Sequence, residues 1–213
     1  MKTSPAIRPW TIDPDVTIDK DHVYRVRGRI VVGTTSVIGR AGLADPRWFT
    51  EESRQRGRIV HKIAELEDRG KLDLSSIDPR LIGYAEAYRE FKRETQFRPF
   101  LIEWRFYDRV LDVCGTLDRL GEAFEDEVLL VDLKTGDVEE WVGLQLVSYE
   151  RGVLAHPGAL DYLKIGKKVR SIKRRALQLR NDGTYKLHPF DSPKDMAEWG
   201  GFVTSDPWRR RNQ

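Results

Sequence analysis

Apolar positions along the chain change period twice. Up to about residue 95 most of them recur at helical spacing, from about Phe100 they alternate, and after Gly136 the two patterns mix. Val23–Val26 and Ile30–Val32 form two short apolar runs around Arg27-Gly28 and predict a hairpin. Thr34-Thr35-Ser36 predicts a cap for a short helix to about Ala41, stopped at Gly42. Ile59, Ile63 and Leu66 define a helix from about Trp48 to Arg69, with Asp45 as its cap and Gly70 as its stop. Asp78-Pro79 opens another helix to about Thr95, with Leu81, Tyr84, Ala85, Tyr88 and Phe91 on one side.

Three strands follow, at about Phe100–Tyr107, Val113–Leu120 and Glu127–Leu133, which the short turns arrange as an antiparallel meander. In the first, alternation places Leu101, Glu103, Arg105 and Tyr107 on one face. A helix from about Glu139 to Ala155 comes next, putting Gln145 and Tyr149 four residues apart on one face. Asn181-Asp182-Gly183 joins Ile172–Leu179 to Thr184–Pro189 as a second hairpin. Ser192-Pro193 starts a terminal helix to about Trp199. Residues 1–20 read as a loose arm and residues 205–213 as a basic tail, leaving one domain over 1–213.

Composition narrows the class. At 39% hydrophobic and 33% charged residues the chain reads as soluble and globular. No apolar run approaches the roughly 20 residues of a membrane span, and Met1–Pro5 lacks the apolar stretch of a signal peptide, so a cytoplasmic protein with no membrane partner is expected. A single cysteine excludes an intramolecular disulfide and a cysteine-ligated iron–sulfur cluster. No Gly-x-x-x-x-Gly-Lys-Ser/Thr motif occurs, which argues against an ATP motor of that type. The net charge of +3 does not itself point to nucleic acid. However, Lys164, Lys167, Lys168, Arg170, Lys173, Arg174, Arg175 and Arg180 form a run without one acidic residue. Such a run can neutralise phosphates, or it can be a solvated face.

The chemistry centres on Val113–Gly136. Asp118, then Asp132 and Lys134 on the adjacent strand, can hold a divalent cation and set a lysine beside it, because residues two apart in a strand share a face. Hard carboxylate oxygens suit Mg²⁺ or Mn²⁺. Taken singly, His61 is an ordinary helix histidine, Glu103 an exposed strand carboxylate, and Gln145 and Tyr149 a stacked pair.

Their order carries more information. Gly57-x-x-x-His61, Glu103, Gly115-x-x-Asp118, Asp132-x-Lys134-Thr135-Gly136 and Gln145-x-x-x-Tyr149 together resemble the RecB-like branch of the PD-(D/E)XK nuclease superfamily, which includes phage-type exonucleases such as that of phage lambda. The resemblance spans about residues 57–150. It implies an α/β (α+β) restriction-endonuclease-like core, a central mixed sheet flanked by helices, with an added C-terminal hairpin. It implies Asp118, Asp132, Lys134 and Glu103 as catalytic residues. Its metal ligands would be His61, Asp118, Asp132 and the backbone carbonyl of Leu133, with Mg²⁺ or Mn²⁺ as cofactor. Gln145 and Tyr149 would bind substrate or hold Lys134, and Lys167, Lys168, Arg170, Lys173 and Arg174 would contact DNA.

The function so implied is a metal-dependent DNA nuclease, an exonuclease of phage or prophage recombination. A single-strand annealing protein or recombinase would be its partner, and a homo-oligomer its assembly. A structure-specific or nicking endonuclease is the alternative within the enzyme class. A non-catalytic DNA-binding or assembly protein on the same fold is the alternative outside it. The sequence departs from the superfamily pattern in having Leu117 before Asp118 where proline is common, and Asp132 where many members have Glu.

Overall fold

A computed structural model describes residues 15–45, 47, 50–124, 127–156, 163–165, 168–169 and 171–205. Its elements run β1 (Val16–Ile18), β2 (Tyr24–Val26), β3 (Arg29–Gly33), α1 (Thr34–Arg40), α2 (Glu51–Asp68), α3 (Ile82–Thr95), β4 (Arg98–Asp108), β5 (Val113–Ala123), β6 (Glu127–Lys134), α4 (Val142–Ala155), β7 (Lys164–Ile165), β8 (Lys168–Val169), β9 (Ile172–Leu179), β10 (Tyr185–Pro189) and α5 (Asp195–Ser205). Two short 3₁₀ turns, Leu74–Ser76 and Pro79–Leu81, link α2 to α3.

The architecture is mixed α/β. A central mixed sheet has the order β1-β2-β3-β5-β6-β9-β10, with β4 paired to the other edge of β5. The β4–β5–β6 meander is antiparallel, whereas β3 lies parallel to β5 and β9 parallel to β6. The second hairpin is therefore not an appendage: β9 is a strand of the main sheet along its whole length beside β6. β1 occupies part of what the sequence presents as a loose arm, paired to β2 from Val16 to Ile18. Residues 1–14 and the tail beyond 205 lie outside the described residues.

Helices cover both faces. Along β6 the alternation is clean: Val128 and Leu130 pack toward α4, with Val142, Leu146, Tyr149 and Val153. Leu129, Val131 and Leu133 pack toward α2 and α3, with Val60, Ala64, Ala87, Tyr88 and Phe91. Period two thus sends Asp132 to the α4 face. α2 begins later than expected. Its cap is Thr50, whose side chain accepts from Ser53 N at 3.1 Å, while Asp45 is occupied by Arg47. It ends as expected at Gly70, with Gly70 N on Glu67 O and Lys71 N on Leu66 O. At α1 the anticipated hydroxyl cap is absent. Gly33 holds the cap position, and Thr34 Oγ1 turns inward to Cys114 O and to Ser148 Oγ.

One topological detail positions the site. β4 covers one edge of β5 throughout, so β3 and β6 share the other. Along β5, β3 meets Val113 and Cys114, and β6 meets Arg119–Ala123. Between these pairings, at Gly115–Asp118, the strands part and the sheet opens. Gly115 fits there because a Cβ would meet Phe106 Cζ at 2.5 Å and Thr34 Oγ1 at 2.9 Å. No helix of the described residues is long and apolar enough to cross a membrane.

Candidate metal and hydrolytic site

Asp118 stands where β5 and β6 separate. The last backbone pair of that ladder is Arg119 with Val131. One residue further, the Asp118 carboxylate replaces the ladder, accepting from Leu133 N through Oδ2 at 2.7 Å. Its Oδ1 is left facing His61 Nδ1 at 3.6 Å. On the opposite side, Ile102 pairs with Arg119 and Trp104 with Leu117, so Glu103 stands across from Asp118. Glu103 Oε1 lies 3.9 Å from the same His61 nitrogen.

Glu103 reaches that position by leaving regular strand geometry. Its φ is +49°, in the left-handed region that costs a non-glycine residue on the order of 1 kcal/mol or more. This corrects the expected alternation. Leu101 shares a core cluster with Trp104, three residues on rather than two, and Leu117 does likewise with Leu120 on β5.

His61, Glu103 and Asp118 offer ligand atoms within 4.8 Å of one another. The tautomer of His61 follows from its other nitrogen. Nε2 lies 3.1 Å from Leu133 O, and a carbonyl can only accept, so Nε2 carries the proton and Nδ1 presents a lone pair. Burial lowers the imidazole pKa, which favours that neutral form, although Glu103 and Asp132 pull the other way. A lone pair and two carboxylates converging on one point repel unless a cation or a proton lies between them. Asp118 accordingly has its pKa pushed up to about 7, by burial first and by Asp132 second. Burial, then Asp118, raises Glu103 as well. This donor set, one imidazole nitrogen and carboxylate oxygens, fits a divalent cation such as Mn²⁺ or Mg²⁺.

Asp132 and Lys134 form a second group beside the first. Asp132 is 1% exposed, and its Oδ2 has no hydrogen-bond partner but lies 2.5 Å from Lys134 Nζ as an ion pair. Lys134 Nζ also donates to Gln145 Oε1 at 3.2 Å and sits 5.5 Å from the centre of the Trp141 ring. Gln145 Nε2 donates to Tyr149 OH at 2.6 Å. Burial raises the Tyr149 pKa well above the ordinary phenol value, so it stays neutral. Of the two roles expected for Gln145 and Tyr149, the geometry realises the holding of Lys134. The Leu133 carbonyl, expected as a ligand, accepts from His61 Nε2 at 3.1 Å.

Sequence reasoning missed Arg119. It is fully buried, and its guanidinium touches every member of the first group. Nη1 donates to Glu103 Oε1 at 2.8 Å and to Asp118 O at 2.7 Å, and Nη2 reaches His61 O at 3.5 Å. Nε donates to Asp68 Oδ2 at 2.6 Å, which also accepts from Tyr88 OH, while Asp68 Oδ1 accepts from Lys92. Burial opposes the charge on Arg119, but Tyr88, Glu103 and Asp68 outweigh it and keep the pKa above its usual value. Trp141 was missed as well. Its only signal is an aromatic residue at the start of the helix that carries Gln145.

Among the described residues of the basic run, three have partners within the fold. Arg174 is 6% exposed, bonded to Ser192 O and flanked by Glu150 and Asp195. Lys173 pairs with Glu127, and Arg175 with Asp191. Lys167 and Arg170 lie outside the described residues, as do the side chains of Lys164 and Lys168.

No model of a known protein family matches the sequence, and no curated protein matches it either.

Proposed function

We propose that the protein is a metal-dependent DNA nuclease with a restriction-endonuclease-like core of the RecB-like PD-(D/E)XK type. The observation that carries this proposal is the convergence of His61 Nδ1, Glu103 and Asp118 at the opening of the sheet, with the Asp132–Lys134 pair beside it. His61, Asp118 and Glu103 would hold the cation, with Asp132 adjoining. Mg²⁺ or Mn²⁺ bound there would supply Lewis acidity toward a phosphate oxygen and lower the pKa of water.

The chain's own residues supply the rest. Lys134 brings a positive charge to the place where hydrolysis of a phosphodiester accumulates negative charge. Asp132, Gln145 and Trp141 fix its ammonium from three directions, so little reorganisation is needed when charge develops. Asp118, with its pKa pushed up to about 7, can hold a proton near neutral pH until a cation displaces it. Arg119 keeps the three ligating residues in register. Exonuclease action in DNA recombination, in the cytoplasm and alongside an annealing protein or recombinase, is the biological setting we propose.

The test is a cleavage time course on linear duplex DNA with Mn²⁺ present, comparing the wild type with Lys134→Ala. Loss of cleavage by at least a hundredfold, with the thermal transition and DNA binding retained, supports the assignment. Undiminished cleavage by the variant overturns it.

A further inference from the structure

The charge of Arg119 is anchored outside the metal cluster. Helix α2 carries His61 and, seven residues on, Asp68, its last residue. Seven residues make two turns, so both side chains leave the same face of the helix. His61 contributes a ligand nitrogen, whereas Asp68 meets the guanidinium of Arg119. That contact is enclosed, with neither side chain accessible to solvent. On its far side Asp68 pairs with Lys92 of α3 at 2.9 Å, and Lys92 keeps 24% of its side-chain surface exposed. A row of alternating charge therefore runs Glu103, Arg119, Asp68, Lys92, from the cluster out to solvent.

Stability alone does not account for Asp68. A carboxylate at the C-terminal end of a helix opposes the macrodipole, and α2 has no basic residue in its last turn. Burying a charge is costly, and a buried ion pair commonly adds nothing over well-packed apolar side chains. What the carboxylate does change is the charge felt at the cluster. Arg119 Nη1 donates to Glu103 Oε1, the oxygen that lies 3.9 Å from His61 Nδ1. Without Asp68 the whole guanidinium charge would fall to Glu103 and Asp118 and would oppose a divalent cation there. With Asp68 on Nε that charge is shared, and Glu103 keeps net negative charge for a cation. The planar guanidinium is also fixed at both ends, which fixes the carboxylate it holds.

We propose that Asp68 is a positioning residue for the metal site: acting through Arg119, it orients Glu103 and keeps the cluster negative enough to hold a divalent cation. This inference rests on the nuclease proposal and deepens it, adding a residue that lies outside both the sequence motifs and the ligand set. Metal affinity and fold stability should then respond differently on the two sides of Asp68. Loss of its carboxylate weakens cation binding. Loss of Lys92, which touches the same carboxylate from the solvent side, lowers stability without weakening the cation.

The full chain is titrated with Mn²⁺ in the absence of DNA, following the free ion by electron paramagnetic resonance. Wild type, Asp68→Asn, Lys92→Met, Arg119→Ala and the double variant Asp68→Asn/Arg119→Ala are compared, with circular dichroism to confirm folding and urea unfolding to rank stability. Asp68→Asn is expected to bind Mn²⁺ roughly tenfold or more weakly than wild type. Lys92→Met should bind within about twofold of wild type, or more tightly, since it removes a positive charge. The double variant should bind within about twofold of Arg119→Ala, because Asp68 has no route to the cluster once Arg119 is gone. Wild-type Mn²⁺ affinity in a folded Asp68→Asn overturns the inference while leaving the nuclease proposal standing. A loss of roughly tenfold in Lys92→Met does the same, since it would trace the effect to general loosening, and this arm stands even if Asp68→Asn does not fold. Additive losses in the double variant overturn the action through Arg119. A wild-type chain that binds no Mn²⁺ overturns the inference and the metal-dependent nuclease proposal together.

Discussion

Asp118→Asn should make the metal-free protein more stable, and the gain should depend on pH. Asp118 has an ordinary pKa of 3.8 and is pushed up to about 7 in the folded chain, chiefly by burial and then by Asp132. A carboxyl whose pKa rises on folding contributes stability that is full below the unfolded value and is lost as pH climbs through the folded one. At 1.36 kcal/mol per pH unit, the span from 3.8 to about 7 amounts to roughly 4 kcal/mol lost by pH 8. Asparagine does not titrate, and its amide oxygen can still accept from Leu133 N as Asp118 Oδ2 does. Its amide nitrogen, placed where Oδ1 now faces His61 Nδ1, turns a contact between two acceptors into one between donor and acceptor. Urea unfolding in EDTA at several pH values from 4 to 8 should show the variant gaining on the wild type by about 4 kcal/mol across that range. Mn²⁺ at a hundredfold excess over its Kd should restore about 2.7 kcal/mol to the wild type and much less to the variant. A stability difference that stays flat from pH 4 to pH 8 would refute the reasoning.

The buried network and the close helix contact give further tests. Arg119→Ala leaves Glu103 and Asp68 without their guanidinium partner and is expected to cost about 3–5 kcal/mol in urea unfolding. It should also weaken Mn²⁺ binding by about 10–100-fold in calorimetry, and wild-type Mn²⁺ affinity in a folded variant would remove Arg119 from its positioning role. In Gly152→Ala the new Cβ would lie 2.2 Å from Phe106 Cδ2, whereas in Gly200→Ala it would meet nothing within 4 Å. Thermal unfolding should show the first destabilised by about 1–3 kcal/mol and the second neutral or slightly stabilised; equal transitions would contradict the packing of α4 on β4.

Elements with local signatures were legible in the sequence. Asn181-Asp182-Gly183 announces its hairpin because the turn needs a residue at positive φ, and Gly183 sits at +82° with Asp182 Oδ1 accepting from Thr184 N. Gly70 ends α2 for the same kind of reason. The neighbours of Asp132 were legible too, because period two and helical spacing carry Lys134 to its face and Tyr149 to that of Gln145. What the sequence hides is long-range compensation. Arg119 reads as one more strand residue because its partner Asp68 is 51 positions away. Glu103 breaks alternation through a backbone angle that no hydrophobic pattern encodes. Val16–Ile18 forms a strand only by pairing with β2, in a stretch rich in aspartate. The burial of Arg174 was hidden for the same reason, since Glu150 and Asp195, which flank its guanidinium, lie outside the basic run in the chain.

The central claim, hydrolysis of DNA at a divalent-cation site, is tested most directly by incubating the wild-type protein with linear and circular duplex DNA in Mn²⁺ or Mg²⁺, and in excess EDTA. Loss of the linear duplex with metal, its arrest by EDTA and its return on adding metal back are expected, with the circle left intact by exonuclease action. Nicking of the circle under metal would keep the nuclease and replace the mode of attack. Cleavage undiminished in excess EDTA, or none of either DNA with metal supplied, would contradict the claim.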